Sequence, residues 1–522
     1  MFTLALVVIV IFGLYLFGTR NHKYWENRGV KHDKPVPFFG NNFRNYFMQI
    51  STSQMTEEMY WKYPTEKVVG FYRASRPELV IRDPEVAKQI LITDFAHFYL
   101  RGLNQDRDNI EPLLRNLFFA DGDLWKLLRQ RITPAFTSGK LKAMFPLIVE
   151  RAERLQARAL SAAAANKEID ARDLMARYTI DFIGACGFGL DSDSLLEDDS
   201  AFRKLGVNIF SVGIRIITII VLREIFPKTF SSLKFFSHVE KDVYHLVNEV
   251  LRQRNYEPSG RNDFIDLLLE CQKKGKMIGE SIEKLKSDGK PETATLEMDE
   301  DLLVAQVFVF FAAGFETSSS ATSMTLHELA YNPDVQAKVQ EDIDRVLAKY
   351  DNKLSYDAVK EMHYLEWTFK EGMRVFPSLG YLIRECSRKY TFKDMDLTID
   401  EGVRVMIPLQ ALHQDPKYFD NPSEFRPERF DPNNFDTDNK YVYMPFGIGP
   451  RACIGERLGL MQSLAGLAAV LSRFSVRPAP HSARRPPVDP AAGIVQTVRG
   501  GLPLLFQERR PAKSPNDSLN IH

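Results

Sequence analysis

The longest apolar run stands at the amino terminus. Phe2 to Gly18 holds seventeen residues without a charge, enough for a helix of about 25 Å, which suits the thinner reticulum membrane. No basic residue precedes the run and no small-x-small site follows it before Arg20, so a retained transmembrane signal anchor over 1–19 is expected in preference to a cleaved signal. Arg20, Lys23, Arg28, Lys31 and Lys34 come after it, and the positive-inside rule then places the later chain in the cytosol. Residues 20–40 close with Lys34-Pro-Val-Pro-Phe-Phe-Gly40 and read as a basic, proline-rich hinge.

Beyond the hinge, Lys67–Tyr72 and Glu78–Arg82 read as a short hairpin, and Asp83-Pro84 as a helix start. Helical periodicity dominates up to about residue 380, as in Leu141–Leu160, Ala176–Cys186 and Val239–Asn255. Strand patterns return near Tyr390–Val405 and Ile494–Phe506. The fold class expected is mainly α with a minor β-sheet component, in one domain over 41–508. Lys273–Asp301, rich in Lys, Glu, Gly and Ser, is expected as a long exposed loop, and 509–522 as a disordered tail.

Composition narrows the class. Hydrophobic residues make up 44% and charged residues 26%, which excludes a disordered or collagenous chain. Sixty-eight Lys and Arg balance sixty-eight Asp and Glu, so no global field favours nucleic acid. The four cysteines, Cys186, Cys271, Cys386 and Cys453, are too scattered for a disulfide framework or paired zinc spacing, although one of them could be a ligand or nucleophile.

Phe446-Gly-Ile-Gly-Pro-Arg-Ala-Cys453-Ile-Gly455 singles out Cys453. Its glycines and proline make a turn that can approach a flat cofactor closely, and a helix begins after the cysteine. A thiolate there is favoured by the helix dipole and nearby N–H groups, which suits an iron ligand. On chemistry alone a buried structural cysteine remains open.

The whole segment resembles the haem loop of cytochrome P450 enzymes, and the resemblance extends over nearly the whole chain. Ala313-Gly314-Phe315-Glu316-Thr317-Ser318 resembles the oxygen-binding segment, Glu371-Gly-Met-Arg374 the Glu-x-x-Arg pair, Pro427-Glu-Arg429-Phe430 the third member of the structural triad, and Trp125-Lys-Leu-Leu-Arg129 the helix that touches a haem propionate. The wording is most similar to insect microsomal members of the detoxifying clan. The resemblance implies the cytochrome P450 fold behind the anchor, haem b (iron protoporphyrin IX) ligated by Cys453, and cofactor contacts from Arg451, Phe446, Trp125, Arg129, Arg384, Ala313 and Gly314. His413 is expected to be structural. Gln414, Ser378 after Pro377 and the tail beyond Arg510 depart from the family pattern.

On a helix Ala313 and Thr317 share a face, so a small residue can admit dioxygen beside a hydroxyl; Glu316, about 100° away, could link that hydroxyl to bulk protons. Thr317 bonding an internal carbonyl is the alternative use of such a residue. The implied activity is a haem-thiolate monooxygenase of the unspecific type, inserting one oxygen atom of O2 into lipophilic molecules such as plant allelochemicals and insecticides. The chain has no flavin or dinucleotide motif, so its electrons are expected from NADPH–cytochrome P450 reductase, with cytochrome b5 as a second donor, at the endoplasmic reticulum membrane. Lys126, Lys140, Lys142, Arg451 and Arg457 are the cations expected near the docking face. A biosynthetic monooxygenase for one lipid or hormone, a reductase-independent haem-thiolate enzyme and a non-catalytic haem sensor are the rivals.

For substrate, Phe308, Phe311 and Phe315 recur at helical spacing and are expected to form an aromatic stripe, joined by Phe118, Leu379, Leu382 and Val495. The apolar stretch Ile209–Pro227, interrupted by Arg215 and Arg223, is expected either to dip into lipid or to pack as a buried helix pair.

Overall fold

The computed structural model describes residues 2–509 apart from 105, 108, 191–193, 198–199, 262 and 435–439, so the expected tail over 510–522 lies outside the described residues. Helices form most of the described fold, and small sheets complete it. Glu300–Tyr331 is the central helix. Asp299 caps it, accepting the Leu302 N–H at 2.6 Å, and every residue from Leu302 to Phe308 is buried. A helix apolar on all sides belongs inside the protein. Helix Ala171–Ile183 crosses it, with the Thr179 hydroxyl donating to the Phe315 carbonyl at 3.1 Å. Tyr178 of the same helix donates to the Gln462 carbonyl at 2.9 Å, tying in helix Glu456–Arg473.

The main sheet has the order Val68–Arg73, Arg76–Ile81, Arg404–Ile407, Leu382–Glu385. Its middle pair is parallel, with Leu79 opposite Val405, and the outer pairs are antiparallel. Residues 20–40 do more than link this sheet to the anchor. Trp25 is fully buried and its indole donates to the Phe71 carbonyl at 3.0 Å, so the segment docks on the sheet edge.

Phe2–Thr19 is one helix whose side chains are exposed, with only Gly18 buried; that is the surface a membrane span offers to lipid. At its end Phe17 stacks on Phe226 at 5.4 Å, bringing the anchor beside helix Ile214–Ile225. The latter exposes Ile214 and buries Arg223, whose guanidinium lies 4.3 Å from the Phe235 ring.

Two expectations are corrected. Lys273–Asp301 is not an irregular loop: Met277–Leu285 pairs antiparallel with Pro291–Leu296. Asp123 fixes the hairpin, accepting the Ile282 N–H and the Ser281 hydroxyl, each at 2.7 Å. Arg509 is not part of a loose tail, since it meets Asp344 at 2.5 Å and its N–H donates to the Arg473 carbonyl.

Glu371 and Arg374 pair at 2.7 Å with both side chains fully buried, and Arg429 approaches Glu371 at 3.4 Å. Arg374 also donates to the carbonyls of His413, Pro422 and Glu424. Its donors are thereby satisfied, the condition for tolerating a buried charge.

Candidate active site

Cys453 is held by the backbone of its own loop. Gly447 and Gly449 have φ of +68° and +77°, where L side chains are strained, and a Cβ on Gly449 would collide with the Leu91 carbonyl oxygen. The Cys453 N–H donates to the Phe446 carbonyl at 2.8 Å, and the Ala452 N–H to that of Gly449 at 3.0 Å. The loop thus turns the thiol into an internal chamber of about 280 Å³. Burial pushes that thiol above its ordinary range, while the Gly455 N–H acts in the opposite direction. A metal bound there would deprotonate the ligating thiol outright. Cys186, Cys271 and Cys386 are buried, and burial raises all three thiols.

Arg101, Arg129, Arg384 and Arg451 line the same chamber with Trp125 and Phe446. Arg451 pairs with Asp121 at 2.9 Å and lies 4.3 Å from the Trp125 ring, yet its Nε and Nη1 are buried without partners. Arg384 donates through Nη1 to the Ile383 carbonyl at 2.7 Å and leaves Nε buried and unpartnered. Burial and mutual repulsion push Arg384 down to about 9 and Arg451 well below its usual range, and burial takes Arg101 to about 10. Stranded donors and uncompensated guanidinium groups require an anion. A flat macrocycle with paired carboxylates and an iron for Cys453 meets that requirement, so these residues fit haem.

Ala313, Gly314, Thr317 and Leu382 also face this chamber. The Thr317 hydroxyl donates to the Ala313 carbonyl at 2.7 Å, and the Ser378 hydroxyl donates to the Thr317 carbonyl at 2.8 Å. A proline at 378 could make no such bond, so this departure from the family pattern has a local role.

A larger cavity of about 950 Å³ shares Phe118, Ala313, Thr317, Leu379 and Ile494 with the chamber. Phe308, Phe315, Glu316 and Val495 line it. Phe311 lines neither space; it sits in the core against Phe188 at 5.8 Å and Phe202 at 5.7 Å. The expected stripe is therefore divided by helix phase, and Phe310, stacked on Phe264 at 4.2 Å, faces the chamber instead. Glu316 is buried and paired with Arg172 at 2.5 Å, so its carboxylate is committed to an ion pair. His413 lies away from both spaces, its Nε2 accepting the Met444 N–H at 3.2 Å; burial and Arg374 lower its pKa to about 3, which keeps it neutral.

Sequence reasoning missed Arg101, Phe310 and Arg172. Phe310 was open to detection, because it shares a helix face with Ala313, Thr317 and Gly314 at spacings of three, seven and four. The two arginines carry no local pattern.

A cytochrome P450 family model matches residues 31–503. Cytochrome P450 6B6 of Helicoverpa armigera is 36% identical over 95% of this chain and 96% of its own length. Cytochrome P450 6a2 of Drosophila melanogaster is 37% identical over 91% of this chain and 94% of its own length. Cytochrome P450 6B1 of Papilio polyxenes is 35% identical over 96% and 98%. With a cysteine loop, an arginine-lined chamber and a match across nearly all of its length, the chain belongs to the cytochrome P450 family and is a haem-dependent monooxygenase.

Proposed function

We propose that the protein inserts one oxygen atom of O2 into lipophilic small molecules of xenobiotic type, plant allelochemicals and insecticides among them, using NADPH electrons delivered by cytochrome P450 reductase. The observation that carries this reading is the apolar cavity continuous with the Cys453 chamber through Ala313, Thr317 and Leu379. Phenylalanines and aliphatic side chains dominate its wall, so binding comes from apolar area at about 25 cal/mol per Å² and tolerates varied shapes.

The cofactor would be haem b, which Cys453 would hold at iron and Arg101, Arg129, Arg384, Arg451 and Trp125 at its carboxylates, with Phe446 lining the same chamber. When bound, it supplies thiolate-supported activation of dioxygen at iron. The chain does the rest. Ala313 leaves room for dioxygen. Thr317 holds a proton at Oγ1 once its hydroxyl turns from the Ala313 carbonyl into the chamber. Glu316 reaches bulk protons through water at the carboxylate oxygen that Arg172 does not hold. Phe118, Phe308, Phe315, Leu379, Leu382 and Val495 orient the substrate and exclude water.

The anchor, Phe2–Thr19, places the protein in the endoplasmic reticulum membrane with the catalytic domain, residues 41–508, in the cytosol. Helix Ile214–Ile225 lies against the anchor's end, so its exposed face dips into the same leaflet. Reductase, and cytochrome b5 as second donor, dock at the cysteine-loop face beside Lys126, Lys140, Lys142 and Arg457; Arg451, expected among these cations, is instead buried in the chamber. Turnover of a mixed panel in membranes reconstituted with reductase tests the reading: oxidation of several unrelated lipophiles is expected, and oxidation of one endogenous steroid or lipid alone would replace it with a biosynthetic role.

A further inference from the structure

The larger cavity is not apolar throughout. Asp170, Arg172 and Asp173 of the segment opening helix Ala171–Ile183, Arg203 of helix Ala201–Phe210 and Glu316 of the central helix also line it. Most of these groups are occupied. Asp173 takes Arg177 at 2.8 Å and Arg203 at 2.5 Å, and Arg203 donates to a single Asp173 oxygen through both Nε and Nη2. Asp170 caps the helix through the Arg172 N–H at 3.0 Å and accepts the Leu502 N–H at 2.9 Å. Arg172 differs. Its Nη2 donates to Glu316, while its side chain stays 29% exposed and lines the cavity. A guanidinium has several N–H donors in a fixed fork, so one edge can hold Glu316 while another faces a ligand.

We infer that Arg172 is a specificity-determining residue that binds an acceptor oxygen on the substrate, a carbonyl, lactone, ether or methoxy group of an uncharged lipophile. This rests on the proposed lipophile-oxidising function and narrows its substrate class. Charge decides between neutral and anionic ligands. Arg172, Arg177 and Arg203 are matched by Glu316, Asp170 and Asp173, so the cluster has no net positive charge for an anion, and Glu316 stands against one directly. A neutral acceptor keeps the hydrogen bond and avoids that repulsion. Glu316 immediately precedes Thr317, and the cavity wall passes from Glu316 to Thr317 and Ala313. A ligand held at Arg172 lies in the same cavity that Ala313 and Thr317 line, and the anchor biases which of its carbons reaches them.

Optical titration of the haem-loaded wild type with flavone and with its carbon-only analogue 2-phenylnaphthalene tests this. The pair shares shape and apolar area and differs in acceptor oxygens. Arg172→Leu is expected to weaken flavone by about tenfold, the effect of one hydrogen bond to a charged donor, while 2-phenylnaphthalene changes by less than about twofold. Leu leaves Glu316 buried without a partner, so Arg172→Lys is measured alongside: it keeps the ion pair but lacks the fork, and it too should lose preference for flavone. An intact ferrous carbon-monoxide band certifies each variant. Equal weakening of both probes, or no change in either, overturns the anchor alone. Failure of both probes to bind wild type overturns the lipophile reading and the anchor with it.

Discussion

Around Cys453 the backbone does the positioning: two glycines with positive φ and a set of backbone hydrogen bonds fix the thiol within ten consecutive residues. Beyond Thr317 the positioning is done by side chains from distant segments, Phe118, Phe308, Phe315, Leu379 and Val495 on the apolar wall and Arg172 with Glu316 at the polar end. The first region has little freedom to vary, because Gly447 and Gly449 hold positive φ and a Cβ on Gly449 would meet the Leu91 carbonyl. The second meets side chains and empty space, so its shape can change while the cysteine loop stays as it is. A fixed reaction centre beside an adjustable cavity suits the proposed breadth of substrate.

The largest expected effect lies in the buried network that supports the cysteine-loop side. Arg374→Leu leaves the fully buried Glu371 with the Arg426 N–H and a single remaining cation, Arg429 at 3.4 Å, and a loss of about 3–5 kcal/mol is expected, seen as failure to retain haem at ordinary growth temperature. Denaturation with an unchanged midpoint would separate this network from the stability of the loop.

Acid sharpens the same point. His413 is held neutral, with its pKa lowered from 6.5 to about 3, so the unfolded chain binds a proton that the folded chain does not between those values. Its contribution is complete above pH 6.5 and is lost as pH falls toward 3, with a slope of about 1.4 kcal/mol per pH unit. Unfolding free energies measured by circular dichroism across that window should lose most of this slope in His413→Gln; an identical acid limb in both proteins would contradict the assignment.

Two glycine substitutions compare the regions directly. Gly449→Ala combines positive φ with a Cβ driven into the Leu91 carbonyl oxygen, and a cost of at least about 1–3 kcal/mol is expected. Gly493, on the cavity wall, has open space within 4 Å of where an alanine methyl would stand, and its replacement by Ala should stay within about 0.5 kcal/mol. Equal melting temperatures for the two variants would break the comparison.

The clearest effect on selectivity is expected from Phe118→Ala and Phe315→Ala. Each should shift relative turnover between substrates by about tenfold and leave the thiolate spectrum unchanged. A product profile identical to wild type would remove that phenylalanine from the substrate wall.

These contrasts explain what was legible in the sequence. The Cys453 loop, the Glu371 and Arg374 pair and the Asp83 helix start depend on neighbours a few residues apart, so spacing reveals them. Hairpin Met277–Leu285 was hidden because its strands are largely exposed and interrupted by Lys and Glu, leaving no clean alternation. Phe311 was misplaced because a repeat of aromatic residues does not say which of two adjacent positions meets the cavity; the packing of Phe188 and Phe202 decides that. Arg101 and Arg172 become functional only when the chain brings distant partners to them, 350 residues apart for Arg101 and the Arg451 carbonyl and 144 for Arg172 and Glu316.

The central claim, that Cys453 alone makes this chamber a haem-thiolate site, is tested most directly by the ferrous carbon-monoxide spectrum of Cys453→Ser beside variants at Cys186, Cys271 and Cys386. The expected result is loss of the red-shifted thiolate band in Cys453→Ser and its retention in the other three. A thiolate band that survives in Cys453→Ser, or vanishes on replacing one of the buried cysteines in a folded protein, would contradict it.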